Sequence, residues 1–533
     1  MKREILLLLP AMILLALAFL TEPAGATQPW VKGAARHDTS APLRNMIFVG
    51  AHTPSTSQQQ VEPLPTRAPF SSKVQDPVAQ PLIAGLQGVT TDLNFEGQSA
   101  QDTRNIFGFA FVPPDTNGAP GETQFVQIVN VTIAIYDKRT GEQTMGPAAI
   151  HTLWTGFGGP CEFQSPDGGD PVVLYDHLAN RWLISQLQFN STFTQNEECV
   201  AVSTSSDATG SYNRYEFDFG ANFPDYPKYG IWPDAYYNTV NVFPGKGFAG
   251  AEACAFDRKA MLAGLAANAI CFQQPSSVSS LLPADIDGRA LPPANSPNYL
   301  LGLADSTHLN LFKFHVDFAN PGNSTFSGPS LISVAPFSEI CARANTVACI
   351  AEPNPGEKVD GLSDRVMFRL AYRNFGDHES LVVNHTIAGG VLAGVRWYEI
   401  RNPGGVFPTV FQQGTIVDPE VDYWLGSVAM DKIGNLALGF SASGRKLPPS
   451  IYVAGRAPGD TPGVLSGPLV IAGGIGVQVQ SFKRWGDYSS MEMDPTDDCT
   501  FWYTNEYYPV TGSFAWSTRI GSFRFNSCKA TGR

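Results

Sequence analysis

The sequence predicts an all-β protein, a seven-bladed β-propeller with an irregular N-terminal arm. Three observations carry this: pairs of short strands recur along the chain, each pair shares a polar turn, and the composition suits strands joined by turns. Only 16% of the 533 residues are charged, whereas Gly and Pro number 51 and 41. Such a chain fits many short strands and not a helical bundle.

The repeat is plainest in PVVLYDHLANRWLISQ (171–186), GSVAMDKIGNLALGFS (426–441) and YSSMEMDPTDDCTFWYT (488–504). In each, an apolar strand meets an Asp turn and then a second strand rich in aromatic or β-branched residues. Less regular members are QFVQIVNVTIAIYDKRTGE (124–142), YGIWPDAYYNTVNVF (229–243), YLLGLADSTHLNLFKFHVDF (299–318) and VMFRLAYRNFGDHESLVVNH (366–385). Their turns at Asn130, Asp176, Asp234, Asp305, Tyr372, Asp431 and Asp494 fall 46 to 71 residues apart. That exceeds the roughly 40 to 50 residues of a minimal blade and leaves each unit extra loop. Two packed sandwiches also use short strands and frequent turns, but the shared unit length favours radial blades. The last unit shows three strands, ending in WSTRIGSFRF (516–525), and IFGFAFV (106–112) is expected to supply its outer strand and close the ring.

Residues 1–26 have the layout of a signal peptide. Lys2 and Arg3 precede an apolar run from Ile5 to Leu20, and Ala24-Gly25-Ala26 offers a small-residue cleavage site. Residues 27–104, rich in Pro, Gln and Ser, read as an irregular arm because they lack a sustained apolar period. Residues 105–528 form the propeller domain and 529–533 a tail. The one fair helical candidate runs from Arg258 to Ala269. No later segment reaches spanning length, so no membrane span is expected after signal cleavage, and the protein is expected to be secreted or periplasmic.

Eight cysteines fit an oxidising destination, and their order suggests pairing between sequence neighbours: Cys161 with Cys199, Cys254 with Cys271, Cys341 with Cys349, Cys499 with Cys528. No CxxC or HxxxH spacing supports zinc. A net charge of -13 with a pI near 5.1 argues against nucleic acid or an anionic membrane as partner, since both require a basic footprint.

PPDTNGAPG (113–121), QFVQIVN, GDPVVLYD, YRNFGDHESLVVNH, SVAMDKIGNLALGFS and RWGDYSSMEMDPTDDCTFWYTNEY together resemble a family of secreted bacterial proteins that is itself uncharacterised. The resemblance spans roughly Phe107 to Cys528. It implies a propeller and an extracytoplasmic bacterial origin, and it implies no activity.

In a propeller the innermost strand of each blade starts at one face, where loops form a mouth. Asp115, Asp170, Asp225, Asp364 and Asp487 stand before or near such strands and are expected to ring that mouth as ligand-binding groups. Three readings of the ring follow. Each Asp caps its strand and bonds the next blade, as Asp does in turns. Alternatively Ca²⁺, which takes about 6 to 8 oxygen ligands, sits among Asp115, Asp170 and Asp487. Or the carboxylates bind a cationic or polyhydroxylated ligand directly. The turn aspartates Asp176, Asp234, Asp305, Asp431 and Asp494 fall at the opposite face and read as structural.

YRNFGDHES (372–380) offers Asp377, His378 and Glu379 as an acid/base set. The same residues are explained by a polar hairpin turn. No G-x-S-x-G elbow, P-loop or dinucleotide fingerprint stands in a suitable strand-to-helix context. The expected function is binding of an extracellular ligand, carbohydrate or protein, at the channel mouth, with Ca²⁺ as the candidate cofactor. The alternative is a polysaccharide hydrolase or lyase using paired carboxylates there.

Overall fold

The computed structural model describes residues 28–46, 66, 69–70, 74–163, 168–245, 247–341, 348–479 and 483–529. The expected signal peptide lies outside them. Among the described residues no helix is long and apolar enough to cross a membrane.

Antiparallel sheets follow one another along the chain, each beginning with its own first strand. Those first strands are Asn117–Pro120, Gly169–Asp176, Asn222–Ile231, Leu282–Asp287, Met367–Asn374, Asp422–Met430 and Ser490–Met493. A parallel ladder between Leu282–Asp287 and Met367–Asn374 merges two units into one nine-stranded sheet. Each first strand packs against the next, and Ser490–Met493 packs back against Asn117–Pro120, so the series closes on itself. This is a β-propeller. The first strands are buried along most of their length, which is why PVVLY and WLGSVAM read as continuous apolar runs instead of alternating ones.

The turn that follows the first strand is built as the sequence suggests in all three plain repeats. Asp176 Oδ1 accepts from the backbone N–H of Leu178 (3.1 Å) and Ala179 (3.2 Å). Asp431 Oδ1 accepts from Ile433 (3.0 Å) and Asn435 (2.9 Å), and Asp494 Oδ1 from Thr496 (2.9 Å). These side chains replace backbone partners that the reversing chain loses.

Three expectations are corrected. The strand that completes the last sheet is Val89–Ser99, paired antiparallel with Ser517–Phe525, and not residues 106–112. Residues 100–107 are helical; the Ser99 N–H donates to Asp102 Oδ2 (2.7 Å), and Gly108 at φ 81° ends the helix. The apolar IFGFAFV run instead packs Phe107, Phe109 and Phe111 together. The N-terminal arm is also less irregular than its composition suggests. Trp30–Gly33, Arg36–Thr39, Ala79–Pro81 and Ile83–Ala84 each add a strand to the outer edge of a different sheet. Edge pairing uses backbone groups, so it needs no side-chain period. The helix expected over 258–269 is short, Arg258–Leu262, and stops before Gly264 at φ 68°.

Four disulfides join Cys161–Cys199, Cys254–Cys271, Cys341–Cys349 and Cys499–Cys528, as the order of the cysteines suggested.

Candidate functional site

The first strands begin through a shared backbone device. Near the start of each lies one non-glycine residue in the left-handed region: Asp115 (φ 49°), Asp170 (47°), Tyr226 (58°), Ser280 (48°), Leu362 (38°), Leu425 (46°) and Asp487 (52°). At Asp170, Tyr226 and Leu425 it coincides with a register shift in the ladder. Such a residue costs about 1 kcal/mol or more, least for Asp and Asn among side-chain-bearing residues. Backbone conformation therefore gives a sufficient reason for Asp at 115, 170 and 487. It gives none for Asp225 or Asp364, whose neighbours carry the strain.

Four of the five sequence-predicted carboxylates gather around one buried ammonium. Lys228 is 0% exposed. Its Nζ donates to the Pro227 carbonyl (2.8 Å) and lies 3.6 Å from the centre of the Tyr226 ring and 3.8 Å from that of Tyr488. Burial pushes the Lys228 amine down to about 8, against the opposing charges of Asp170, Asp115 and Asp487. Burial likewise raises Asp115 well above the carboxylate range, helped by the charges of Asp487 and Asp170. Asp225 is pushed up to about 7 by burial and by Asp170, and Arg365 offsets part of this.

Asp170 links two units, as the capping reading requires. Its Oδ2 accepts from the Tyr226 N–H (3.2 Å), its own N–H donates to Asn130 Oδ1 (3.0 Å), and its carboxyl hydrogen-bonds Asp115. Burial is the main cause of its raised pKa. Asp487 is held by the Arg484 guanidinium, whose Nε also donates to Asp360 Oδ2 (2.9 Å). Asp364 binds Arg365 through two bonds, 2.8 and 3.1 Å, and that guanidinium sits 4.5 Å from the Tyr226 ring centre. Asp115, Lys228 and Arg484 are sealed from solvent, while Asp170, Asp225 and Asp364 are half-buried. This end of the ring of first strands is thus an ionic plug in which Asp170, Asp225 and Asp364 keep some exposure to solvent.

Lys228, Arg365 and Arg484 were not singled out from sequence, although a signal was available. Three of the five aspartates travel with a base within three positions: Asp225 with Lys228, Asp364 with Arg365, Asp487 with Arg484. The plug carries its own counter-ions. Among the described residues, the one set of three His, Cys, Asp or Glu whose donor atoms all lie within 4.8 Å is Glu252, Cys254 and Cys271, and those two cysteines form a disulfide. A Ca²⁺ ion among Asp115, Asp170 and Asp487 would have to take over the charge role that Lys228 and Arg484 now fill.

Asp377, His378 and Glu379 do not join this cluster. They occupy the hairpin after Met367–Asn374, at the end of the strand remote from Asp364. His378 Nδ1 bonds Asp377 Oδ1 (2.7 Å) and its ring stacks on Phe375, while Glu379 Oε1 accepts from Tyr372 Oη (2.6 Å). These are the contacts of a polar turn.

No protein-family model and no curated protein matches the chain. Among solved structures, an α-L-arabinanase from Penicillium chrysogenum complexed with arabinobiose is similar at 10% identity, covering 69% of this chain and 98% of its own, with a TM-score of 0.36. The α-L-arabinofuranosidase Arb93A from Fusarium graminearum, in complex with an iminosugar inhibitor, gives 10% identity, 83% and 99% coverage, and a TM-score of 0.32. An endo-arabinanase from Bacillus licheniformis gives 8%, 66%, 96% and 0.29. No activity follows from likeness at this level.

Proposed function

We propose that this protein is a seven-bladed propeller of the cell exterior or periplasm that binds a polyhydroxylated ligand at the mouth of its channel. One observation carries the reading: Asp115, Asp170, Asp225 and Asp487 converge on the buried ammonium of Lys228 at one end of the ring of first strands. Such convergence marks functional sites more often than ordinary surface. The half-buried Asp170, Asp225 and Asp364 provide acceptors for ligand hydroxyls, and the plug beneath them supplies rigidity. The seven-blade reading is supported by the closed succession of first strands. Export is supported by the four disulfides.

The test is retention on a panel of immobilised glycans. Asp225→Asn and Asp364→Asn should weaken retention about tenfold or more, as loss of a charged acceptor does. A protein that retains no glycan, or variants that bind as the parent does, would reject the reading.

A second reading, hydrolysis, is favoured by the hydrogen-bonded Asp115–Asp170 pair. Two carboxyls in contact share a proton, leaving one as acid and the other as base. Asp170, the partly exposed member, would face the substrate with Asp115 behind it, and release of reducing ends by the parent that Asp170→Asn abolishes would establish it.

A further inference from the structure

Three outer strands share one local device. Ser466–Ala472 (SGPLVIA), Thr325–Ser333 (TFSGPSLIS) and Gln143–Ala149 (QTMGPAA) each contain a Gly-Pro step at which the register slips. In each, those two residues oppose a single residue of the neighbouring strand: Ala454, Phe312 and Ala134. The first two strands agree further, since Ser327-Gly328-Pro329 and Ile332 repeat Ser466-Gly467-Pro468 and Ile471 at the same spacing. Their glycines also pack alike. A Cβ on Gly467 would meet the Val453 carbonyl oxygen at 3.1 Å, and one on Gly328 would meet the equivalent Leu311 oxygen at 2.8 Å.

In Ser466–Ala472 this device is a docking edge. The arm strand Ile83–Ala84 lies parallel to it, with Ile83 N–H donating to the Leu465 carbonyl and Gly85 N–H to the Gly467 carbonyl, both at 3.3 Å. Leu82, just before the first donor, packs against the apolar cluster that includes Leu465. In Gln143–Ala149 the matching carbonyl, that of Gly146, accepts from the Gln143 side chain of the same strand.

Among the described residues, neither arrangement serves Thr325–Ser333. It ends the nine-stranded sheet with no strand beyond it, and Ser327, Gly328, Pro329, Ser330 and Leu331 are exposed. The N–H and C=O of one residue point to the same side of a strand, and the side alternates along it. The shared register therefore turns Phe326 and Gly328 outward, as it turns Leu465 and Gly467. Phe326 stands in the place of Leu465, half-buried, with its ring 5.0 Å from that of Phe312. An edge of unpaired backbone groups is a template for another strand.

The occupied copy also defines what fits. Its partner runs parallel, whereas a second copy of this chain related by a two-fold would present the same edge antiparallel. We propose that Thr325–Ser333 is a docking edge for an extended segment of another protein, which adds as a parallel strand. Two N–H groups of that segment, two residues apart, donate to the Phe326 and Gly328 carbonyls. The residue before the first donor is apolar and covers Phe326, and small residues follow, as in Leu82-Ile83-Ala84-Gly85. Main-chain bonds give the attachment and the apolar residue gives the selectivity. The inference is independent of what occupies the mouth.

The probe is the acetylated and amidated peptide AQPLIAGLQ, residues 79–87 of the chain itself, added to the full-length protein. Backbone hydrogen exchange followed by mass spectrometry reads where it binds. Saturable slowing of exchange is expected within 325–333 and no change within 466–472, where the arm already sits. A peptide N-methylated at Ile83 loses the donor to Phe326 and should bind about tenfold more weakly or worse. Leu82→Gln in the peptide should weaken it about tenfold, through the lost apolar contact. Absence of saturable slowing, slowing at 466–472 instead, or equal binding of the N-methylated peptide would each overturn the proposal. So would protection of 325–333 that rises with protein concentration alone, which would assign the edge to a second copy.

Discussion

Replacing Glu198 by Gln should stabilise the protein at neutral pH and have little effect in acid. Glu198 is wholly buried in the strand Asn196–Ser203. Its Oε1 accepts from the Tyr229 hydroxyl (2.7 Å), whereas Oε2 has no hydrogen-bond partner among the described residues. Burial first, and the charge of Asp170 second, push its pKa up to about 8. In the unfolded chain the ordinary value is about 4.3. Between these values the folded protein holds a proton that the unfolded chain has released. The stability associated with that proton is present in full below about pH 4 and is lost as pH rises towards 8. At pH 7 the loss reaches roughly 3 to 4 kcal/mol, because pH 7 lies about 2.7 units above the unfolded value and below the folded one, at 1.36 kcal/mol per unit.

Gln removes that penalty, since it has no proton to lose, and its carbonyl oxygen still accepts from Tyr229. The neutral acid and the amide both place an unpartnered donor where Oε2 stands, so the two should be nearly equal at pH 4. Denaturant unfolding followed by tryptophan fluorescence at pH 4 and pH 7 measures the difference. A Glu198→Gln effect that is the same at both pH values, or destabilising at pH 7 alone, would refute the reasoning.

Three further outcomes are expected. Lys228→Met removes the ammonium that faces Asp115, Asp170 and Asp487; it should cost about 3 to 5 kcal/mol at pH 7, less in acid as Asp115 and Asp170, both raised by burial, take up protons, and a loss below about 1 kcal/mol would contradict the plug. Because Lys228 and Arg484 already counter the carboxylates, the melting temperature should be the same with Ca²⁺ and with chelator, and a rise with Ca²⁺ that Asp487→Asn abolishes would instead assign an ion to Asp115, Asp170 and Asp487. Mass mapping of the unreduced protein should find no free thiol, and removing Cys499–Cys528, a separation of 29 residues, should cost about 3 to 4 kcal/mol by the loop-entropy relation, with an unchanged unfolding energy counting against it.

The repeat and the disulfides were legible because both leave local marks. An apolar run, an Asp turn and a second run record a hairpin wherever the inner strand is buried on both sides, as in PVVLYDHLANRWLISQ. What the sequence hid was pairing by backbone alone. WVKG and RHDT form strands on the outer edges of sheets whose other residues lie some 180 to 240 positions away, and nothing in their side chains alternates. The same holds for the closing strand Val89–Ser99, where VTTDLNFEGQS offers little apolar surface and IFGFAFV offered more. Hydrophobicity drew the closure to the wrong segment, since a buried loop between a helix and a sheet needs as much apolar surface as a strand does.

The carboxylates of the mouth were legible for a reason that weakens them as a functional signal. Asp115, Asp170 and Asp487 recur at equivalent places because a left-handed residue recurs there, and Tyr226, Ser280, Leu362 and Leu425 fill the same position elsewhere. A side chain chosen by backbone conformation carries no information about a ligand. Asp225 and Asp364 differ: neither is the left-handed residue of its unit, both are half-buried, and each stands next to the residue or base that ties it into the plug. An acid that the backbone does not require, set where solvent reaches it and beside a buried base, has only its chemistry to justify it. These two positions therefore bear the weight of the binding proposal, and loss of ligand without loss of stability in Asp225→Asn would distinguish recognition from architecture.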